Sequence, residues 1–175
     1  MQPLNTALKA RLDQLEPIRA FLMEHHARLA SKDHQVDTYF HVPNGKLKWR
    51  HGTIENALIL KEAGARPDPC AGDEGYFPLE SPDVDAGALG CLLSRALGTK
   101  AVVEKTREIY FIENVKFHLD EVKGLGFFLE IEAVDVDDST PVESLAAQCC
   151  HYKEALGIRE EDLLALSYSD IQQTL

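Results

Sequence analysis

The sequence predicts an α+β domain with antiparallel strands, mostly in hairpin order, and helices between groups of strands. The main observation is the stretch Asn114 to Ala133, NVKFHLDEVKGLGFFLEIEA, where charged and apolar residues alternate on both sides of a glycine-containing turn. A period of two is typical of strands, because successive side chains point to opposite faces. A second hairpin is indicated by Pro43-Asn44-Gly45 between two alternating stretches. We expect about seven or eight strands, and a barrel is one way to close them without free edges.

Each further element is predicted from its local pattern, a period of two for strands and an apolar stripe for helices. Strands are predicted at 6–11, 35–42, 46–52, 56–62, 100–113 and in both halves of 114–133. Helices are predicted at 16–31, 85–98, 142–156 and 159–166. Thr140-Pro141-Val142-Glu143 has the form of a capping box. Residues 65–85, rich in Pro, Gly and Asp, are expected to form a long loop.

The composition of the 175 residues is that of one globular domain over 1–175, with 45% hydrophobic and 27% charged residues. The formal net charge of −11 argues against a nucleic-acid-binding surface, which normally carries a basic patch. Without an apolar run long enough to span a bilayer or a signal-peptide pattern, we expect a cytoplasmic protein with no membrane partner. The four cysteines form no CxxC pair and are expected to be reduced.

Cations recur on one face of the predicted strands. An ordinary sheet with its polar side in water also alternates, and for any single strand that is the better interpretation. Here, however, cations recur strand after strand in an acidic protein, and like charges side by side are tolerated where a polyanion lies between them. A sheet closed around a polyanion is therefore the second interpretation. Nine cations occupy such positions: Lys9, Arg11, Lys46, Lys48, Arg50, Lys61, Lys105, Arg107 and Lys116.

Carboxylates accompany these cations in the last strand stretch. Glu130 and Glu132 are two apart and point the same way, and Asp120 can join them from the preceding strand. Oxygen ligands suit hard cations such as Mg²⁺ or Mn²⁺, which bridge carboxylates to substrate phosphates. Cations for phosphate and carboxylates for metal are the groups that phosphoryl and nucleotidyl transfer require. An isolated Glu-x-Glu is more often a solvated strand, so the metal interpretation depends on the cationic surroundings.

Six stretches of the chain match a known family in family order. They are VDTYF (36–40), GKLKWR (45–50), ARPD (65–68), VVEKTREIY (102–110), VKFHLDEVKGLGFFLEIEA (115–133) and SYSDI (167–171). Through them the sequence resembles the CYTH superfamily of triphosphate tunnel enzymes, and more closely its class IV adenylyl cyclase-like branch. The resemblance implies an eight-stranded antiparallel β-barrel, a tunnel with flanking helices, whose inward Lys and Arg hold ATP or another polyphosphate. By analogy with the family we expect a homodimer.

The resemblance also implies a role for each matching position. A metal ion, Mg²⁺ or Mn²⁺, would activate the ribose 3′-hydroxyl of ATP in a cyclase, with pyrophosphate leaving. In a triphosphatase of the superfamily, water attacks the terminal phosphorus instead. Lys9, Glu130 and Glu132 are implied to be catalytic. The implied phosphate ligands are Lys9, Arg11, Lys48, Arg50, Lys105, Arg107 and Lys116, and the implied metal ligands are Glu130, Glu132 and Asp120.

The chain departs from the family pattern in two places. The family's first strand carries Glu-x-Glu-x-Lys, but here Asn5 and Ala7 precede Lys9, so both carboxylates are missing. The loop after the ARPD stretch carries Asp73 and Glu74 where relatives commonly place cations. Fewer carboxylates lower the affinity of a site for Mg²⁺. We therefore expect a cyclase or triphosphatase of low or Mn²⁺-dependent activity; the alternative is a non-catalytic protein that binds polyphosphate or nucleotide.

Overall fold

The structure, a computed structural model, describes residues 5–61, 74–79, 86–135 and 140–174. In chain order the elements are β1 Asn5–Leu12, α1 Glu16–Glu24, β2 Arg28–Phe40, β3 Lys46–Gly52, β4 Asn56–Lys61, β5 Glu74–Pro78, α2 Ala86–Leu97, β6 Thr99–Ile112, β7 Val115–Val122, β8 Gly126–Val134, α3 Val142–Ala155, a 3₁₀ turn Glu160–Asp162 and α4 Tyr168–Thr174. The strands form one eight-stranded sheet in the order β1-β8-β7-β6-β2-β3-β4-β5. The predicted α+β class, with antiparallel strands and flanking helices, is confirmed. No described helix is long and apolar enough to cross a membrane.

The first helix is shorter than its apolar stripe predicts. It ends at Glu24, and His26 then adopts a φ of 54°, in the left-handed region that turns the chain out of the helix. β2 therefore begins at Arg28 and runs for 13 residues instead of starting at Gln35. The prediction of helix for residues 25–31 was wrong because the turn at His26 overrides a stripe that was weak beyond Leu22.

Three other segments differ from prediction. β5, at Glu74–Pro78, lies inside the predicted long loop, of which residues 65–73 and 80–85 fall outside the described part. The predicted helix at 159–166 is reduced to a 3₁₀ turn, and the tail forms α4. The expected capping box is absent, because Pro141 is the N-cap of α3 and the Thr140 backbone N–H donates to Asp135 Oδ2 at 3.2 Å.

The chain divides into two compact units. Unit 1 comprises the described residues of Met1–Lys32 and Thr106–Ser167, and unit 2 those of Asp33–Lys105 and Tyr168–Leu175. In unit 1, β8 pairs antiparallel with β1 on one side and with β7 on the other. In unit 2, β3 pairs with β2 and β4, and β4 pairs with β5.

The core of unit 1 lies between one face of its strands and the helices α1 and α3. Phe117, Leu119, Leu129 and Ile131 are fully buried there, against a cluster that includes apolar residues of both helices. Burying each such side chain is worth about 1.5–3 kcal/mol. Because side chains alternate along a strand, this burial fixes the charged residues between them on the opposite face of β7 and β8.

In unit 2, helix α2 approaches β3 closely at Gly90. A Cβ atom on Gly90 would lie 2.1 Å from Cζ3 of Trp49, a distance that no real pair of carbon atoms tolerates. Glycine in the middle of a helix is normally unfavourable by about 1 kcal/mol relative to alanine. The contact with the Trp49 ring therefore explains why the helix carries glycine at this position.

Gly90→Ala is expected to lower the free energy of unfolding by about 1–3 kcal/mol, the usual cost of overpacking, although alanine is the better helix former. Urea unfolding followed by circular dichroism measures the change. Gly75→Ala is the control, because its Cβ would make only ordinary contacts with Leu60, at 3.6 Å from Cβ and 3.8 Å from the carbonyl oxygen. A Gly90→Ala protein as stable as the parent would contradict the close approach of α2 to Trp49.

Candidate functional site

Apart from Arg11, the residues that the family resemblance assigns to phosphate or metal lie in two groups of charged side chains, one in each unit. The roles of these residues stay predictions; the structure gives their positions and contacts. The Asp37 cluster of unit 2 consists of Asp37, Lys48, Arg50, Glu55 and Lys105. The Glu130 cluster of unit 1 consists of Lys9, Arg107, Lys116, His118, Asp120, Glu130 and Glu132.

Asp37 is the centre of its cluster. It lies opposite Arg50 in the β2–β3 register and is only 1% exposed. The Arg50 guanidinium donates to both of its oxygens, from Nε at 2.8 Å and from Nη2 at 2.9 Å. Lys105 and Lys48 donate to Oδ2 at 2.8 and 3.2 Å. Three cations predicted to bind phosphate thus share one buried carboxylate, and the paired geometry with Arg50 is the strongest kind of hydrogen-bonded ion pair.

These neighbours fix the ionisation of Asp37. Burial alone would raise the pKa of its carboxyl group, but the charge of Lys48, the hydrogen bonds from Arg50 and the charge of Lys105 hold that pKa well below its ordinary value. Asp37 is therefore an anion throughout the physiological pH range. As an anion it holds the three cations in fixed positions on β3 and β6.

A second carboxylate, Asp33, shapes the turn that carries Glu55. Asp33 accepts hydrogen bonds from Thr53 Oγ1 at 2.6 Å and from the backbone N–H groups of Ile54 and Glu55 at 2.9 and 3.2 Å. Gly52 is required beside it, since a Cβ there would lie 2.6 Å from Asp33 Oδ2. The turn so held places Glu55 Oε2 at 2.9 Å from Arg50 Nη1.

The sequence interpretation missed these supporting residues. Asp33, Gln35 and Asp37 are all buried and recur with a period of two along β2. That alternation is a usable signal, but the predicted strand begins at Gln35 and so omits Asp33. Gln35 donates to Asp33 Oδ2 at 2.9 Å and to Glu55 Oε2 at 3.2 Å, so it joins the two carboxylates.

In the Glu130 cluster, Arg107 pairs with Asp120. The guanidinium donates to both Asp120 oxygens, from Nε at 2.7 Å and Nη2 at 2.6 Å, and Asp120 is 0% exposed. Arg107 Nη2 also lies 3.5 Å from Glu130 Oε2. Each oxygen of Asp120 therefore accepts a hydrogen bond from this arginine, and Asp120 orients Arg107. Its role as a metal ligand stays a prediction.

Glu130 and Glu132 lie one on each side of His118. Glu130 Oε2 is 3.4 Å from His118 Nδ1, and Glu132 Oε2 is 3.9 Å from His118 Nε2. Lys9 Nζ is 3.9 Å from Glu130, and Lys116 Nζ is 3.3 Å from Glu132. His118 has the same strand parity as Lys116, yet the sequence interpretation gave it no role.

Burial and charge set the protonation of this group. Burial would raise the pKa of Glu130, but the His118 hydrogen bond and the charges of Lys9 and Arg107 hold that pKa well below its ordinary value. Burial, followed by the charge of Arg107, lowers the pKa of His118 from 6.5 to about 4. At neutral pH the cluster therefore contains an ionised Glu130 and a neutral imidazole.

The first strand meets this cluster at the positions where the family's glutamates are missing. Ala7 lies opposite Glu132 and Lys9 opposite Glu130 in the β1–β8 register, and Asn5 lies opposite Val134. Ala7 is exposed and offers no metal ligand. Arg11, a predicted phosphate ligand, lies over the Phe128 ring at 5.3 Å from its centroid.

The donor atoms of the Glu130 cluster bear on whether a divalent ion fits. Within 5–61, 74–79, 86–135 and 140–174, no group of three or more His, Cys, Asp or Glu side chains is arranged to hold a metal. Glu130, Glu132 and His118 nevertheless offer two carboxylates and an imidazole, and His118 Nε2 is buried without a hydrogen-bond partner. Such a partial set fits an ion that takes its other ligands from phosphates and water.

Comparison with known proteins gives a family match and a partial relative. The CYTH domain model matches residues 5–168. A protein of Methanocaldococcus jannaschii named "Putative adenylate cyclase" is 31% identical over 80 residues. That alignment covers 45% of this chain and 45% of the relative, so it spans less than half the length of either.

Solved structures resemble the chain over nearly its whole length. The PH1012 protein of Pyrococcus horikoshii superposes with a TM-score of 0.77 at 26% identity, covering 95% of this chain and 98% of that chain. A "putative adenylyl cyclase" from Hippeastrum, described as having a dominant triphosphatase activity, superposes with a TM-score of 0.63 at 15% identity. It covers 98% of this chain and 96% of that chain, and at this identity the likeness is one of fold.

Asp37→Asn is expected to lower the free energy of unfolding at pH 7 by about 3–5 kcal/mol, because three cations lose the buried anion that they share. Urea unfolding measures the change, and Asp13→Asn, at an exposed position, is the control.

Because the folded pKa of Asp37 is depressed, its contribution is fully present above the unfolded value of about 3.9 and is lost as pH falls through the folded pKa. The stability difference between the parent and Asp37→Asn should therefore shrink below about pH 4. A difference that stays constant on acidification would contradict this linkage.

Proposed function

Because the chain belongs to the CYTH domain family, we propose that it binds a triphosphate, either a nucleoside triphosphate such as ATP or another polyphosphate. The observation that carries the proposal is the Asp37 cluster, where Lys48, Arg50 and Lys105 converge on one buried carboxylate. Cations concentrated in this way favour a ligand of high negative charge. Lys9, Arg11, Arg107 and Lys116 have the same proposed role in unit 1.

The internal carboxylates position the cations for this role. Arginine recognises carboxylate and phosphate oxygens with the same planar fork, so a guanidinium held by an aspartate is already oriented for an oxyanion. Asp37 holds Arg50 in this way, and Asp120 holds Arg107. A ligand that binds preformed groups loses less conformational entropy than one that must order them.

The proposed chemistry is transfer of a phosphoryl or nucleotidyl group with a divalent ion, Mg²⁺ or Mn²⁺, at Glu130 and Glu132. When bound, the ion would neutralise charge on the phosphate oxygens and activate the attacking hydroxyl or water. Lys9, at 3.9 Å from Glu130, places a further positive charge beside that position. The names of the relatives support both an adenylyl cyclase, which releases pyrophosphate, and a triphosphatase, which releases phosphate.

A non-catalytic polyphosphate- or nucleotide-binding protein is the second candidate. The observation that favours it is Ala7, which lies opposite Glu132 and supplies no carboxylate. Fewer ligands on the first strand should weaken metal binding more than phosphate binding, since the seven strand cations proposed to hold phosphate are present. Products identified by mass spectrometry after incubation with ATP or tripolyphosphate, with Mg²⁺ or Mn²⁺, distinguish the two candidates. Robust Mg²⁺-dependent turnover would exclude the non-catalytic one.

Tripolyphosphate is expected to raise the melting temperature by about 5–10 °C at a hundredfold excess over Kd, and added salt should reduce the shift. Arg107→Ala should at least halve the shift, measured against the variant's own melting temperature. Arg159→Ala is the matched control, because Arg159 also forms a two-point pair with an aspartate, Asp162, but its side chain is 66% exposed.

If the Arg107→Ala protein does not fold, Arg107→Lys is tested in its place, because it keeps the positive charge but lacks the planar fork of arginine. A shift with tripolyphosphate no larger than that with chloride at equal ionic strength would overturn the proposed binding.

Ala7→Glu is expected to raise the affinity for Mn²⁺ by about tenfold, because it adds a carboxylate opposite Glu132. Isothermal titration with MnCl₂ measures the affinity, and Ala7→Gln controls for side-chain size. The pair Asn5→Glu with Ala7→Glu restores both family carboxylates and should raise turnover as well, if the protein is catalytic. Equal Mn²⁺ affinity for the Glu and Gln variants would show that position 7 does not contact the metal.

A further inference from the structure

His118 is a buried polar side chain whose ring has one hydrogen-bonded and one unsatisfied nitrogen. It is 5% exposed, on the charged face of β7. Nδ1 lies 3.4 Å from Glu130 Oε2. Nε2 is buried with no hydrogen-bond partner among the described residues, and it lies 3.9 Å from Glu132 Oε2. Unsatisfied buried polar atoms are uncommon in native proteins, so this nitrogen requires an explanation.

The carboxylate of Glu130 determines which ring nitrogen carries the proton. A neutral imidazole has one donor and one acceptor nitrogen, and Nδ1 of His118 lies 3.4 Å from Glu130 Oε2. Glu130 can only accept, so the proton belongs on Nδ1. The lone pair of Nε2 then faces Glu132, which is also an acceptor. Two lone pairs on atoms 3.9 Å apart repel each other unless a cation or a hydrogen-bond donor lies between them.

We propose that His118 Nε2 and Glu132 are ligands of a divalent transition-metal ion such as Mn²⁺. Glu130, in place of the direct ligand role given to it above, is then the carboxylate that orients the histidine. Metal-binding histidines usually donate their other ring N–H to a carboxylate, which fixes the tautomer and the direction of the ring. Glu130 stands in that relation to Nδ1. Since Glu130 also lies near Arg107 and Lys9, its charge is already balanced by cations.

The proposal rests on the proposed function, because two protein ligands are enough only if phosphate oxygens and water complete the shell. The nitrogen would take the place of an oxygen ligand that Ala7 cannot supply. Imidazole suits transition metals better than Mg²⁺, so His118 gives a structural reason for a preference for Mn²⁺.

The test is electron spin echo envelope modulation of Mn²⁺ bound to the full chain, with and without tripolyphosphate. The expected spectrum shows coupling to a directly coordinated ¹⁴N. Labelling the histidines with ¹⁵N should replace it by ¹⁵N coupling, a result that needs no variant. His118→Gln should abolish the nitrogen coupling and weaken Mn²⁺ binding about tenfold, with a smaller effect on Mg²⁺. His151→Gln, at an exposed position, should leave both unchanged.

The possible outcomes separate this inference from the proposed function. Bound Mn²⁺ without nitrogen coupling would overturn the inference, with a bridging water as the remaining occupant, and would leave triphosphate binding intact. Tripolyphosphate binding without any bound Mn²⁺ would also overturn it. Nitrogen-coupled Mn²⁺ that depends on His118, in a protein that does not bind tripolyphosphate, would support the metal ligands and overturn the proposed function.

Discussion

Pairing of buried charge is the constraint on which the candidate site depends. Removing an ion from water costs several kcal/mol, and a protein keeps such an ion inside only beside an opposite charge with good geometry. Asp37 and Asp120 meet this condition in the same way. Each is almost fully buried, and each accepts hydrogen bonds at both oxygens from one arginine. In both cases the partners are 13 residues apart in the chain. Removing either carboxylate would leave buried cations without this partner, a change that costs about 3–5 kcal/mol.

This constraint also bears on which ligands the proposed triphosphate site would accept. An incoming anion competes with carboxylates that already hold the cations, so its advantage grows with the number of charges that it brings. A single phosphate replaces one interaction at a time, whereas a chain of phosphates engages several cations together and gains effective concentration after the first contact. In the proposed function, internal pairing would thus disfavour abundant small anions and favour polyphosphates.

The sequence was sufficient to predict which face of a strand each residue lies on, but not which residues of neighbouring strands contact one another. β3 was predicted with its observed bounds, and the alternation in 114–133 correctly separated the buried Phe117 and Leu129 from the charged residues between them. Alternation is a local property, so one strand reveals it. The partner of a cation depends on register between strands, and that is why the roles of Asp33 and Asp37 were not foreseen.

Other differences have local causes that a pattern does not record. The left-handed turn at His26 ends α1 although the apolar stripe of the sequence continues. The Thr140 backbone N–H donates to Asp135, and the predicted capping box does not form. The family resemblance supplied the fold and the list of residues, but it assigned Asp120 by position alone. The arginine on both of its oxygens became visible only with the neighbouring strand in place.

The sharing of Asp37 among Lys48, Arg50 and Lys105 has a consequence for how the sequence can drift. A change at one of these cations leaves the aspartate with two partners, but a change at Asp37 affects all three at once. Substitutions at this position should therefore show strong epistasis, harmful in the parent background and tolerated only after the cations have changed. Evolution along this part of β2 and β3 would be ordered in time, with the cations changing before the anion.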